Sequence, residues 1–209
     1  MLLIDRTVKE FVNVLGSDSP APGGGSAAAL HGTLGASLIK MVGLLTTGKT
    51  KYAEHQDFID KLIEKTEELQ SEFLAVIDED TEAFNQVSAV FSMPKETDNQ
   101  KAARKDAMQA ALKACTMTPY KMLELCEKAI ALAENAINRT NTNAASDLGV
   151  AALSLKASAQ GAWLNILINI GGITDETFTD KYKSSGEALL EKVNTAADRV
   201  YESILVSLT

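Results

Sequence analysis

Apolar residues recur three and four positions apart along almost the whole chain. This spacing places them on one side of an α-helix, whereas a half-buried strand needs strict alternation. No run of alternating β-branched residues bounded by turn dipeptides interrupts the pattern. The sequence therefore predicts an all-α fold, an antiparallel bundle of long helices joined by short loops.

Size and charge narrow the class of protein further. The 209 residues predict one domain, residues 1–209, because a domain holds roughly 100–200 residues. The formal net charge of −8 disfavours nucleic acid and anionic membranes, which both require a positive surface. The start of the chain lacks the features of a signal peptide, and no segment approaches the ~20 apolar residues of a membrane span. We therefore expect a soluble, cytoplasmic protein.

The two cysteines, Cys115 and Cys126, are 11 residues apart in helix-like sequence. Three helical turns separate them, so they cannot form a disulfide with each other within one straight helix. We expect both to be free thiols in a reducing compartment.

Glycine, proline and capping residues divide the chain into seven predicted helices. Pro119 has no backbone N–H and is expected to start or kink a helix, so we predict a break before it. The predicted helices span about 5–15, 26–46, 55–91, 99–114, 119–137, 147–170, and from 176 towards the C-terminus.

Asp80 lies within the apolar stripe of the long helix predicted over 55–91. Its neighbours Asp78, Glu79 and Glu82 fall ~100–200° away on a helical wheel and are expected to be solvated. An ionised carboxylate in a core is costly unless it is paired. Asp80 is therefore either a buried ion pair or helix-cap partner, or a group kept for catalysis. The apolar residues within ~20° of it are Leu62, Leu69, Phe73, Val87 and Phe91.

The helix predicted over 147–170 reverses this pattern, because a line of small and polar residues runs along an otherwise apolar helix. Such a line faces either an internal cleft or a subunit interface, or it makes polar contacts between packed helices. Its members are Asp147, Ser154, Ser158, Gly161 and Asn165.

The second predicted helix carries a stripe of small residues: Ala28, Gly32, Gly35, Ala36 and Gly43. Each interior glycine costs up to ~1 kcal/mol of helix stability, so the stripe needs a compensating role. Close packing of another helix is one explanation, and access of a ligand to the backbone is the other.

Possible anion-binding groups lie at both ends of this helix. The run from Gly23 to Ser26 presents unpaired N–H groups at a helix N-terminus, which suit a carboxylate, phosphate or oxyanion, although the full phosphate-loop motif is missing. Lys40, with Lys49 and Lys51, forms a basic patch that is either solvated or binds an anionic substrate tail. Neither histidine belongs to a zinc motif, so we predict no metal site.

An ordered series of motifs resembles the cyclodeaminase/cyclohydrolase family of folate one-carbon enzymes. The resemblance covers nearly the whole chain, and the order of the motifs makes it more specific than any one of them. The resemblance implies an all-helical homodimer with a folate cleft near the subunit interface. The segments are PAPGGGSAAA (20–29), MVGLLT (41–46), DEDTEAF (78–84), NTNAASD (141–147), GAWLN (161–165) and ITD (173–175).

The resemblance also implies roles for individual residues. The second aspartate of the family's D-x-D-x-E-A-F motif is the catalytic acid/base, and here that position is Asp80. The glycine-rich turn and several polar positions are expected near the pterin or the reacting centre, and Lys40 is added from the basic patch. The predicted substrate-binding residues are Gly23, Gly24, Gly25, Ser26, Lys40, Asn141, Asn143, Ser146, Asp147 and Asn165.

The activity implied by the resemblance is closure of 5-formiminotetrahydrofolate to 5,10-methenyltetrahydrofolate with loss of ammonia. Asp80 would remove the arylamine proton and return one to the departing amine, and Asp147 would assist. One alternative is hydrolysis of methenyltetrahydrofolate to 10-formyltetrahydrofolate, and another is a non-catalytic bundle that binds folate or a partner helix. We expect no cofactor beyond the tetrahydrofolate substrate. A separate formiminotransferase would be needed to load formimino groups, as in histidine degradation.

Overall fold

A computed structural model describes residues 2–209 and contains six α-helices, with no strand in that range. The all-α prediction is confirmed. Short 3-10 turns at Leu3–Asp5, Thr50–His55 and Thr142–Ala144 connect or precede the longer helices. The helices are α1 (Val8–Leu15), α2 (Gly24–Leu44), α3 (Gln56–Phe91), α4 (Asp98–Ala136), α5 (Ala145–Ile170) and α6 (Glu176–Leu208).

Helices α2 to α5 form an antiparallel four-helix bundle. Helix α2 packs against α3 and α5, α4 completes the ring between α3 and α5, and α6 packs against α5 and α4. Gly35 of α2 faces Leu155 of α5. Ala28, which is nearer the start of α2, faces Gly161, which is nearer the end of α5, so these two helices run in opposite directions. The bundle therefore brings the start of α2 next to the end of α5.

The small residues of α2 allow its neighbours to approach closely. A Cβ at Gly32 would lie 2.3 Å from Cε1 of Phe73, and one at Gly35 would lie 2.7 Å from Cγ of Leu155. Both distances are far inside ordinary contact, so any larger residue would push the helices apart. Close helix packing is therefore one reason for the stripe.

Helix α2 is also the one helix within residues 2–209 that is long and apolar enough to cross a membrane. This differs from the expectation that no segment approaches the length of a membrane span. Core helices satisfy the same length and composition test, and half of this helix is buried inside the bundle. We interpret α2 as a core helix, because its glycines contact α3 and α5 directly.

The predicted break before Pro119 is wrong, because α4 runs from Asp98 to Ala136 with Pro119 inside it. Proline cannot donate to the carbonyl of Cys115, four residues earlier. The side-chain Nδ2 of Asn169 on α5 donates to that carbonyl at 3.0 Å instead. A neighbouring helix thus satisfies the acceptor that proline leaves free, and α4 continues.

The apolar stripe of α3 leaves the core towards its C-terminal end. Phe73 is fully buried, as predicted, but Phe91 is 64% exposed and Phe84 is 36% exposed.

Both cysteines are free and buried, which confirms that they are unpaired thiols. The thiol of Cys126 donates to the hydroxyl of Ser158 at 3.3 Å, so part of the polar line on α5 serves helix packing.

Candidate active site

A cavity of about 280 Å³ lies at the N-terminal end of α2. Side chains from α3, α4 and α5 form its walls, and the segment before α2 forms its rim. Asp80 is the only acidic residue among the described residues that line it. The lining residues are Pro20, Ala21, Gly23, Gly24, Gly25, Asp80, Phe84, Val87, Cys115, Asn165, Ile168 and Asn169.

Asp80 is half-buried, and its carboxylate has one strong polar partner. The hydroxyl of Ser26 donates to Oδ2 at 3.0 Å. Burial raises the pKa of Asp80 above its ordinary value, and the hydrogen bonds from Ser26 partly oppose that rise. None of the nine ion pairs found within residues 2–209 includes Asp80, so the buried ion pair considered above is not formed. A half-buried carboxylate with a raised pKa and no paired cation is suited to acid/base chemistry.

Gly25 allows the carboxylate to lie directly against the first turn of α2. A Cβ at this position would lie 2.0 Å from Oδ1 and 2.7 Å from Oδ2 of Asp80. The unpaired N–H groups of that turn carry partial positive charge, which offsets some of the cost of burying the anion. The glycine therefore has a specific role in placing Asp80. The carboxylate also accepts from the backbone N–H of Ser26, so the helix-cap contact considered in the sequence analysis is formed at the start of α2.

Two asparagines and a thiol form the opposite wall. Asn165 donates through Nδ2 to the carbonyl of Gly161 at 2.8 Å, and a Cβ on Gly24 would lie 3.7 Å from the same nitrogen. Burial and the nearby Asp80 raise the pKa of Cys115, which keeps the thiol neutral. Cys115 and Asn169 line the cavity but are not among the residues predicted for the site. The spacing of Asn169, four residues after Asn165, was the available signal.

Four predicted residues lie at the other end of the bundle. Asp147 precedes Asn165 by 18 residues of α5, which corresponds to ~27 Å along the helix. Asn141 is buried and ties its loop to the end of α2, because its backbone N–H donates to Oγ1 of Thr46 at 2.8 Å. Its side chain also accepts from the N–H of Asn143 at 3.1 Å. Within one chain, therefore, Asn141, Asn143, Ser146 and Asp147 are not brought to Asp80.

Lys40 and Ser26 also lie outside the lining of the cavity. Lys40 pairs with Glu67 at 3.0 Å on the α2–α3 face. Ser26 is fully buried and contacts Asp80 from behind. The cavity therefore contains Gly23, Gly24, Gly25, Asp80 and Asn165 of the predicted set.

The expectation that Asp78 is an ordinary solvated carboxylate is wrong. Asp78 is half-buried, and its Oδ1 accepts from the backbone N–H of Leu3 at 2.6 Å. Its Oδ2 is buried without a hydrogen-bond partner among residues 2–209. The N-terminal segment folds over α3 and covers Asp78, which periodicity within α3 could not show. Asp78 lines a second cleft of about 870 Å³, which shares Ala21 of the 20–25 segment with the Asp80 cavity.

No group of three or more His, Cys, Asp or Glu side chains within residues 2–209 is arranged to hold a metal ion. The polar groups at the cavity are one carboxylate, two amides, one thiol and the backbone of the glycine turn. The fold and the cavity thus define an all-helical protein whose site chemistry centres on a single carboxylate.

Comparison with known proteins identifies the family of this chain. The pattern of the formiminotransferase-cyclodeaminase family matches residues 7–188, and the chain belongs to that family. The resemblance seen in the sequence motifs is therefore confirmed. The named relatives are enzymes.

Three relatives illustrate the range of the family. A methenyltetrahydrofolate cyclohydrolase from Methylorubrum extorquens is 38% identical over 200 residues, which cover 96% of each chain. A formimidoyltransferase-cyclodeaminase from Rattus norvegicus is 31% identical over 97% of this chain but only 37% of the rat protein. The crystal structure of formiminotetrahydrofolate cyclodeaminase from Thermotoga maritima superimposes with a TM-score of 0.80 at 26% identity, covering 97% of this chain and 96% of that one.

Proposed function

We propose that the Asp80 cavity binds the one-carbon unit of a reduced folate and closes 5-formiminotetrahydrofolate to 5,10-methenyltetrahydrofolate with release of ammonia. The observation that supports this most strongly is the position of Asp80. Its carboxylate is half-buried, has no paired cation and lies against Gly25, where there is no room for a Cβ. The cyclodeaminase names of the Thermotoga and rat relatives support this reaction.

The chemistry follows from one carboxylate that changes its protonation state. Ionised Asp80 accepts the N10 proton as N10 bonds to the formimino carbon, and it then delivers a proton to the departing nitrogen. The bond between carbon and that nitrogen breaks, and ammonia leaves. Because the substrate amidinium and the methenyl product are both cationic, the anionic carboxylate also stabilises their charge within an apolar cavity.

Hydrolysis of methenyltetrahydrofolate to 10-formyltetrahydrofolate is the second candidate. The cyclohydrolase from Methylorubrum extorquens, with 38% identity along the whole of both chains, favours it. In this reaction Asp80 removes a proton from water as the water attacks the methenyl carbon. Both reactions act on the same carbon and use the same carboxylate.

The two candidates are separated by supplying each substrate to the purified protein. Growth of the methenyl absorbance, with one ammonia released per methenyl formed, supports cyclisation. Decay of that absorbance from added methenyltetrahydrofolate, faster than in a sample without protein, supports hydrolysis. Binding of folate without turnover of either substrate would contradict both and leave the non-catalytic bundle.

We also propose that the chain acts as a homodimer through the outer face of α2 and α5. This face exposes apolar side chains, including Leu34 (48%), Leu153 (46%) and Leu164 (67%), and a large apolar patch is typical of an interface. If two copies of α5 pack antiparallel across a two-fold axis, Asp147 of one chain approaches the Asn165 end of its partner. That arrangement would unite the predicted residues that a single chain keeps ~27 Å apart.

Sedimentation of the wild type and of Leu164→Glu tests the dimer. We expect a dimeric wild type, with the variant shifted to monomer and reduced in activity. A monomeric, fully active wild type would contradict the proposal.

We further propose that the site needs no cofactor beyond the tetrahydrofolate substrate, that the protein works in the cytoplasm, and that a separate formiminotransferase supplies formimino groups.

A further inference from the structure

The hydroxyl of Ser26 contacts two adjacent residues of α3 that line different cavities. Asp80 lines the 280 Å³ cavity, and Thr81, the next residue of α3, lines the 870 Å³ cleft beside the N-terminal segment. Ser26 itself is fully buried and lines neither space. Its hydroxyl therefore links Asp80, which lines the smaller cavity, to Thr81, which lines the larger cleft.

Three oxygens surround the Ser26 hydroxyl at hydrogen-bond distance. Oδ2 of Asp80 and the carbonyl of Ile77 lie 3.0 Å from it, and Oγ1 of Thr81 lies 3.3 Å from it. When Asp80 is ionised, Ser26 donates to it and accepts from Thr81. When Asp80 is protonated, it donates to Ser26, which turns its own proton towards Ile77 or Thr81. Both states of Asp80 are thus hydrogen-bonded, and a proton can pass along the chain of oxygens.

We propose that Ser26 and Thr81 are positioning residues that carry a proton from Asp80 to the water of the larger cleft, which equips the site for hydrolysis. This inference rests on the proposed folate function of the Asp80 cavity. With a folate in that cavity, the substrate blocks direct exchange between Asp80 and solvent. The path through Ser26 stays available because Thr81 opens into the larger cleft, which Asp80 does not line.

The proton balance explains why such a path matters for one reaction and not for the other. In hydrolysis, the oxygen of water bonds to the methenyl carbon and the bond from carbon to N5 breaks. One proton of the water ends on N5, and the other must leave the site. In cyclisation of the formimino cation, the N10 proton departs with ammonia, and no proton has to be released.

The lining of the larger cleft favours the arrival of a proton. Asp78, Glu79 and Glu82 line it, Glu79 being paired with Lys121, and Arg6 is the one cation among the described lining residues, so carboxylates outnumber cations there. Oδ2 of Asp78 and Nε of Arg6 are both buried without a hydrogen-bond partner among residues 2–209. Carboxylates at the end of the path hold the local potential negative. A proton that passes Thr81 therefore moves towards negative charge.

Thr81→Val tests the path, because valine keeps the shape of threonine and replaces only its hydroxyl with a methyl group. We expect kcat for methenyl hydrolysis to fall about tenfold or more with KM unchanged, since a positioned proton transfer contributes roughly 10²–10⁴-fold. The dependence of kcat on the deuterium fraction of the solvent should change from curved to linear as fewer protons move together. Thr81→Ser should restore both, while Thr81→Val should leave cyclisation close to the wild-type rate.

Ser26→Ala provides a second variant that interrupts the same path, and we expect it to lower hydrolysis at least as far. Unchanged hydrolysis and an unchanged isotope response in Thr81→Val overturn the path alone. A wild type that cyclises but does not hydrolyse also overturns the path and leaves the cyclodeaminase proposal in place. A wild type that turns over neither substrate overturns both.

Discussion

Replacing Gly25 with alanine would add one methyl group directly against the proposed catalytic carboxylate. That methyl carbon would lie 2.0 Å from Oδ1 of Asp80, whereas ordinary contact begins at 3.4 Å, so the oxygen must retreat by about 1.4 Å. Helix α2 is packed between α3 and α5, and its backbone has little room to move. We therefore expect the side chain of Asp80 to be the part that shifts.

The effect on activity should exceed the effect on stability. A displacement of ~1 Å at a reacting group costs about 10²-fold in rate. Overpacking costs about 1–3 kcal/mol, and Gly25 lies in the first turn of α2, where the helix propensity of alanine offsets little of that cost. A loss of at most ~3 kcal/mol leaves a domain with a typical stability of about 5–15 kcal/mol folded.

Gly32→Ala is the matched control, because it makes the same change in the same helix against Phe73 instead of Asp80. Its methyl carbon would lie 2.3 Å from Cε1 of the ring. Thermal melts and kcat should be measured on both variants. We expect Gly32→Ala to lower the melting temperature while the folded protein keeps its kcat. A Gly25→Ala protein with wild-type kcat would refute the proposed role of the Asp80 position.

Three further predictions concern the surroundings of the site. Because burial raises the folded-state pKa of Asp80, its ionisation destabilises the fold. Asp80→Asn should therefore melt no lower than wild type at neutral pH. Acidification that protonates Asp80 should remove any advantage in melting temperature of the variant over wild type. Asn169→Ala should cost ~1–3 kcal/mol in chemical denaturation by leaving the Cys115 carbonyl unpaired, and less in a Pro119→Ala background that restores a backbone donor. Burial raises the pKa of Cys126 to about 12, so iodoacetamide should leave it unmodified in the folded protein, as mass spectrometry would show.

Periodicity and capping residues were sufficient to predict most of the fold, because they depend on local sequence. The start and end of α3 and the end of α5 fall within one residue of the predicted limits. Pro119 was misjudged because the donor that replaces its missing N–H comes from Asn169, 50 residues later. A helix wheel for one segment contains no information about such a partner.

The site was predictable where the local pattern and the motif agreed. Asp80, Asn165 and the glycine turn meet in one cavity because α2, α3 and α5 are antiparallel neighbours. Asn141 and Asp147 belong to an equally recognisable motif, but the length of α5 places them at the opposite end of the bundle. Asp78 was wrongly expected to be solvated, because its cover comes from the N-terminal segment.

The most direct test of Asp80 as the acid/base is the rate of cyclisation by Asp80→Asn beside Glu79→Gln. Glu79 is the adjacent residue of α3, is exposed and pairs with Lys121, so its replacement is a matched loss of one carboxylate. We predict that Asp80→Asn, folded by circular dichroism, loses at least ~10²-fold in kcat, while Glu79→Gln stays within about twofold of wild type. An Asp80→Asn protein that closes 5-formiminotetrahydrofolate at the wild-type rate would contradict the central role given to this carboxylate.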